Sequence, residues 1–265
     1  MATRKFKDWF DREAGLRLGK AIARVDVGFD AIGYADALGN TVADKELKAR
    51  VLAMAELLRE RLPDDFERAA TILEGALGPE LRHESGMFTH GYWLMPVARF
   101  VEEFGTNNWK ASMRLCQEIT KRHTGEYSVR PFLEGETERT LARMKEWAAS
   151  PNPHVRRLAS EGAKPRLPWA KRHDGFVNDP EPILTLVEPL RADGSPYVRK
   201  SVANLLNDVS KDHPNRVLSL CIRWGAEGDE RTRWIVRHGL RSLTRANNDT
   251  AIAICGGRSR IQQPQ

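Results

Sequence analysis

SPNPHVRRLASEG (150–162) and GSPYVRKSVANLLND (194–208) follow one design, a serine–proline turn leading into Val-Arg-basic and then a small, apolar face. Val155 and Val198 stand 43 residues apart, and EGDERTRWIVRHGLRSL (227–243) is a weaker third copy, with Val236 38 residues after Val198. An apolar helical stretch precedes each copy: ERTLARMKEWAAS, PILTLVEPLRAD and NRVLSLCIRWGAE. HEAT-type helical pairs repeat every 40–47 residues or roughly so. One such pair cannot bury its apolar face alone, so a recurrence of this length commits the chain to stacked helices. The expected fold is all-α, an α-solenoid of HEAT-like helical repeats.

Upstream, the same helical periodicity holds and strand-like alternation is nearly absent. KELKARVLAMAELLRERL (45–62), FERAATILEGALG (66–78), HGYWLMPVARFVEEFG (90–105) and WKASMRLCQEITKRH (109–123) each read as a helix. At 265 residues and 41% hydrophobic content the chain can bury a large core. Residues 1–250 are expected to form a single HEAT-like domain, and 251–265, polar and glycine-broken, a frayed tail. The stretch 159–182 reads as an unusually long linker, and long loops in compact arrays are commonly functional.

That linker overlaps the most unusual composition in the chain. Within 151–173, six bases (Arg156, Arg157, Lys164, Arg166, Lys171, Arg172) surround one carboxylate, Glu161, and one tryptophan, Trp169. A short helix is expected over Val155–Ser160, closed by a left-handed cap at Gly162. Glu161 then sits on the last turn, where the helix dipole disfavours a carboxylate by a few tenths to about 1 kcal/mol. A lone acid against the dipole suits a site that handles a polyanion and needs one negative charge. Residues 109–173 hold 14 Lys/Arg against 7 Asp/Glu, more than the whole net charge of +6. A surplus so concentrated fits a nucleic-acid footprint, with a solvated basic face as the ordinary alternative.

Cys116, Cys221 and Cys255 are widely separated and lack paired spacing, so neither a zinc site nor a disulfide framework is expected. Free cysteines fit a reducing cytoplasm. No apolar run approaches a membrane span, and MATRKFKDWFDREAG lacks the apolar core of a signal peptide.

RRLASEGAKPRLPWA (156–170), supported by EYSVRPFL (126–133) and NDVSKDHP (207–214), resembles the AlkC branch of the HEAT-like-repeat DNA alkylation-repair glycosylases, over about residues 40–250. The resemblance implies a monofunctional DNA glycosylase that releases cationic alkylated bases, 3-methyladenine and 3-methylcytosine, from double-stranded DNA. It implies no metal and no cofactor, and a concave basic DNA-binding face on which the lesion is approached while still largely stacked. Some family members carry a C-terminal immunoglobulin-like module, which this length is not expected to accommodate. By position, the implied catalytic residues are Glu126, Glu161, Asp208 and Trp169, with the three carboxylates facing one deoxyribose. A monomer is the expected state.

Each residue also has an ordinary explanation. Glu126, read as opening a helix after Thr124-Gly125, would favour the dipole. Asp208 stands three residues before Lys211, so an intrahelical ion pair accounts for it. Trp169 could plug a gap between repeats, and Glu161 could pair with Arg157. The expected DNA-binding set is Arg156, Arg157, Lys164, Arg166, Lys171, Arg172 and Arg199; Arg156 and Arg199 occupy equivalent repeat positions, and for either alone an internal ladder between helices is the ordinary explanation. Arg157, Lys164, Arg166, Lys171 and Arg172 are the better candidates for phosphate contacts. A non-catalytic HEAT-repeat module that binds damaged or distorted DNA remains the alternative. It keeps the basic surface but has no need of the three acids.

Overall fold

The N-terminal helices, for which the repeat made no provision, pack through missing side chains. In the computed structural model, which describes residues 4–85 and 87–256, α1 (Arg12–Ala23) and α2 (Ala31–Thr41) lie against each other. A Cβ at Gly15 would meet Leu38 at 2.8 Å, and one at Gly19 the Ala31 backbone at 3.0 Å. Every regular element among the described residues is helical, and no helix there is long and apolar enough to cross a membrane.

The chain divides into two compact units, Met1–Thr140 and Leu141–Gln265. The first continues with α3 (Leu47–Arg61), α4 (Phe66–Ala76), α5 (Met95–Phe104), α6 (Trp109–Thr120) and α7 (Arg130–Gly135). Each periodic stretch therefore becomes a helix within a few residues of its expected bounds. The Tyr34 hydroxyl donates to the Met54 carbonyl (3.1 Å) in a core where Phe10, Leu38 and Met54 are fully buried. A chain segment of seven residues or fewer around Lys45 is clamped by Arg50, which donates to the Lys45 and Ala43 carbonyls at 2.7 and 3.0 Å.

Helix α8 (Thr137–Ala148) spans the division. The second unit then holds α9 (Pro153–Gly162), α10 (Asp174–Asn178), α11 (Glu181–Val187), α12 (Pro196–Val209), α13 (Pro214–Glu227), α14 (Glu230–Gly239), α15 (Arg241–Arg245) and α16 (Asp249–Ile254). Helices α9, α12 and α14, the three repeat copies, pack side by side. Their N-caps are Asn152, Ser195 and Asp229, whose side chains accept from the amides of His154, Val198 and Thr232.

Aligned on these caps, the first two copies are 43 residues apart, as expected, but the third follows after 34. The buried counterpart of Val155 and Val198 is thus Thr232, not Val236 one turn later. The repeat arginine sits four residues past each cap and reaches back to the turn before it. Arg156 donates to the Ser150 and Pro151 carbonyls, Arg199 to those of Asp193 and Gly194, and Arg233 to that of Gly228, all at 2.7–3.0 Å. Arg156 also grips the Asp193 carboxylate with two bonds, of 2.6 and 3.0 Å. Arg156 and Arg199, both expected in the DNA-binding set, thus clamp the turns that precede their own helices.

Three local expectations change. Helix α9 runs through Gly162 and meets Ala163 in the right-handed region, so Gly162 is not a left-handed cap. The linker of 159–182 shrinks to 163–173, because α9 extends into its start and α10 forms in its second half. Residues 251–254 belong to α16, with Ala251 fully buried, while 257–265 of the expected tail lie outside the described residues.

Candidate active site

Loop 163–173 is tied down at nearly every step. Its ends are joined by the His173 amide donating to the Pro165 carbonyl (2.9 Å), and the His173 ring stacks on Phe176 at 3.9 Å. Leu167 is buried beneath it. The Arg166 amide donates to Asp208 Oδ2 (2.7 Å), and the Arg166 guanidinium pairs with Asp212. Lys164 donates to Glu161 Oε1 (2.9 Å). What this framework holds outward is Trp169, 58% exposed, at φ +69°. A bulky residue in the left-handed region costs on the order of 1–3 kcal/mol and persists only where its surroundings enforce it. The indole is no plug between repeats. Lys171 and Arg172 follow it on the exposed part of the loop, Arg172 pairing with Asp174 at 2.6 Å.

Glu161, on the last turn of α9, is 7% exposed and fully engaged. Its Oε1 accepts from Lys164, its Oε2 from the Ser201 hydroxyl of α12 at 2.7 Å, and the Arg157 guanidinium lies 3.8 Å from Oε2. Ser160 stands 2.7 Å from Ser201, extending the network. Burial pushes the Glu161 carboxyl up, but the Arg157 and Lys164 charges, with the bonds from Lys164 and Ser201, outweigh it and hold the group below its usual value. The acid for which the sequence offered only a pairing with Arg157 acquires two further partners in the fold, one of them from the neighbouring repeat. Lys164 is itself buried and given over to this pair, so it is not an outward phosphate holder. Arg157, mostly buried, lies over the Tyr197 ring at 5.0 Å.

Asp208, on the last turn of α12, is 4% exposed. The ion pair with Lys211 forms at 2.9 Å, as the spacing suggested. Its second oxygen is the one that takes the Arg166 amide, a bond between residues 42 apart that no sequence pattern signals. Truncating Asp208→Ala orphans that amide. Faster hydrogen exchange at Arg166 and Leu167 is expected, with a local cost of about 1–3 kcal/mol; unchanged exchange would mean the loop is held without Asp208.

Glu126 lies in the first unit. It does not open a helix: residues 126–129 form a turn and α7 starts at Arg130. Its carboxylate accepts from the Thr124 hydroxyl (2.7 Å) and is 4% exposed. Gly125 permits this, since a Cβ there would stand 2.8 Å from the Cys116 carbonyl oxygen. Of the residues singled out, Glu161, Asp208 and Trp169 are thus brought to one loop of the second unit, and Glu126 is buried in the first. Among the described residues no cluster of His, Cys, Asp and Glu could hold a metal ion.

A family model described as DNA alkylation repair enzyme matches residues 97–243, more than half of the chain. The chain belongs to the DNA alkylation repair enzyme family. Glu126, Glu161, Trp169 and Asp208 all lie within the matched span. Among solved structures it is similar to the Pseudomonas fluorescens alkylpurine DNA glycosylase AlkC bound to DNA containing an abasic site analog, at 35% identity and a TM-score of 0.87, over 97% of this chain and 69% of that one. It is also 38% identical over 210 residues to the uncharacterized protein YhaZ of Bacillus subtilis (strain 168), covering 79% of this chain. The chain spans 56% of the length of YhaZ. The family that RRLASEGAKPRLPWA resembles and the HEAT-like helical fold expected from the repeats are borne out.

Proposed function

We propose that this chain is a monofunctional DNA glycosylase that hydrolyses the N-glycosidic bond of cationic alkylated bases, 3-methyladenine and 3-methylcytosine, in duplex DNA, acting as a monomer and without a metal or cofactor. The observation that carries the reading is the pinned loop. It spends backbone strain to hold an indole outward while its base is fastened to two buried carboxylates. The similarity to a solved alkylpurine DNA glycosylase supports the same reading.

An N3-alkylated base is already a cation, so its glycosidic bond is weakened without protonation of the leaving group. Positive charge then develops on the deoxyribose, as in sugar hydrolysis, where carboxylates stabilise an oxocarbenium-like transition state and direct a water. Glu161 suits that role because Arg157 and Lys164 keep it ionised and fixed, which is the preorganisation that electrostatic catalysis requires. Asp208 and Glu126 are assigned to the same chemistry, and Trp169 to the face of the exposed sugar and lesion. Lys171 and Arg172, on the same loop, are assigned to backbone phosphates.

Glu161, held below its usual value by Arg157 and Lys164, is not poised as an acid for a neutral leaving base. Duplexes containing 3-methyladenine or 3-methylcytosine should therefore release free base, with or without EDTA, and a uracil duplex should not. Base release measured by chromatography checks this. Uracil excision at a rate comparable to 3-methyladenine would sink the mechanism, and tight lesion binding with no release would leave only the non-catalytic module.

A further inference from the structure

The three repeat helices share one frame, and the middle one breaks it at a buried position. Six residues past the caps Asn152, Ser195 and Asp229 stand Leu158 on α9, Ser201 on α12 and Ile235 on α14. All three side chains are buried. Two copies fill this position with a large aliphatic group. The middle copy places a hydroxyl there and forgoes the apolar burial that leucine or isoleucine would contribute. A buried hydroxyl is costly unless it is hydrogen-bonded, so its partner shows what it is for.

That partner is Glu161. Ser201 donates to Oε2 at 2.7 Å, and the Ser160 hydroxyl lies 2.7 Å from the Ser201 oxygen. The direction of this chain follows from donor counting. An ionised carboxylate only accepts, so the single Ser201 hydrogen points at Oε2, and in the contact with Ser160 it is Ser160 that donates. The Arg157 carbonyl, 3.0 Å from Ser160, is a longer alternative for the same hydrogen. A hydroxyl that accepts while it donates is polarised and donates more strongly. Lys164 holds the other oxygen, Oε1, from α9 itself. One anchor leaves a glutamate carboxylate free to turn about its last torsion, whose preference is broad. Anchors on both oxygens, from two helices, fix its plane. We infer that Ser201 is a positioning residue for base excision, its hydroxyl orienting the Glu161 carboxylate from the neighbouring repeat, with Ser160 acting through it. The assignment rests on the glycosylase reading of Glu161.

Single-turnover release of 3-methyladenine from a duplex reads the rate, and fluorescence anisotropy on undamaged duplex reads binding. S201A should release base about tenfold more slowly, as for loss of one hydrogen bond to a charged group, with duplex affinity unchanged. S201C, close to serine in size but a weak donor, should follow S201A, which separates the lost bond from the lost volume. S160A should lose less, and S160A/S201A should be no slower than S201A. Against the upward push of burial, the Arg157 and Lys164 charges and the bonds from Lys164 and Ser201 hold the Glu161 carboxyl down. Without Ser201 it takes up its proton at higher pH, so the ratio of S201A to wild-type rate should fall from about pH 7 to about pH 5. A wild-type rate in folded S201A overturns the assignment. So does a loss that is equal at both pH values and comes with weaker duplex binding, because Ser201 would then only pack the repeats. Additive losses in the double variant overturn the chain from Ser160. If S201A does not fold, S160A must still show the pH-dependent loss. Thermal melts read the same carboxyl without any chemistry: the acid-side loss of Tm should begin at higher pH in S201A than in wild type. That shift with no base released by wild type ends the glycosylase reading and leaves the anchoring of Glu161 by Ser201. Release by wild type without the shift ends the serine assignment alone.

Discussion

Glu161→Gln should lower excision of 3-methyladenine by about 100- to 1,000-fold, the range typical for loss of one preorganised electrostatic group, and it should also cost stability. The second effect follows from where the carboxylate sits. Glu161 and Lys164 are both buried, with side-chain exposures of 9% and 10%, and Arg157 is close by. Removing one member of a buried pair leaves the others uncompensated, at up to about 3–5 kcal/mol, or on the order of 10 °C in Tm for a chain of this size. The sequence alone would make this substitution structurally silent. In E161Q/K164M, with both charges gone, much of the Tm should return while excision stays lost. Full excision by E161Q would remove Glu161 from the mechanism, and an unchanged Tm would mean the ion pair contributes nothing to the fold.

The same pairing sets a pH window. The folded-state carboxyl lies below its free value of 4.5, so its contribution to stability is fully present above that value and is lost as pH falls through the folded one. Stability between pH 7 and pH 5 should be insensitive to Glu161. In wild type an acid-side loss should set in only below about pH 4.5, and E161Q should lack that portion of it. Thermal melts of the two proteins across this range provide the comparison.

Trp169 predicts an unusual order of substitutions. An exposed aromatic that stacks on a base or sugar is worth about 1–3 kcal/mol, so Trp169→Ala and Trp169→Gly should both lose roughly ten- to a hundredfold in turnover. Stability should separate them in the reverse of the usual direction. Alanine keeps the strain of φ +69°, while glycine adopts it freely. Trp169→Ala should therefore stay near wild type in stability, and Trp169→Gly should exceed both by about 1 kcal/mol. A loss of about 3–5 kcal/mol on truncation, typical of a buried aromatic, would instead return the ring to the core. Turnover unchanged in both variants would end its assignment to the DNA side.

Much of the architecture was legible because it rests on local signals that repeat. Apolar residues at three- and four-residue steps fall on one helix face, and a Pro at the first helical turn with a capping side chain before it marks where α9 and α12 begin. The third repeat was misregistered by one turn because Val236 and Thr232 are both apolar enough to bury on the same face, and only the Asp229 cap distinguishes them. The α1–α2 pair escaped because its contact is written in glycines, which carry no hydropathy signal. Likewise the chemistry-bearing residue types around 151–173 stood out by composition, whereas their partners did not.

The sequence by itself determined that the chain is all-helical and repeated, that a basic segment encloses Glu161 and Trp169, and that Arg156 and Arg199 are equivalent. These follow from interactions within a few residues of one another. Only the tertiary structure decided which cations are neutralised. Whether a lysine faces a phosphate or a buried acid depends on what the neighbouring helix brings to it. Lys164 went inward to Glu161 once α12 supplied Ser201, and Arg166 was drawn to Asp212 while its amide closed on Asp208. Arg241 closed instead on the His238 carbonyl and Asn204. Charge pairing across 40 residues has no period, so it leaves no trace in the sequence until the repeats are stacked.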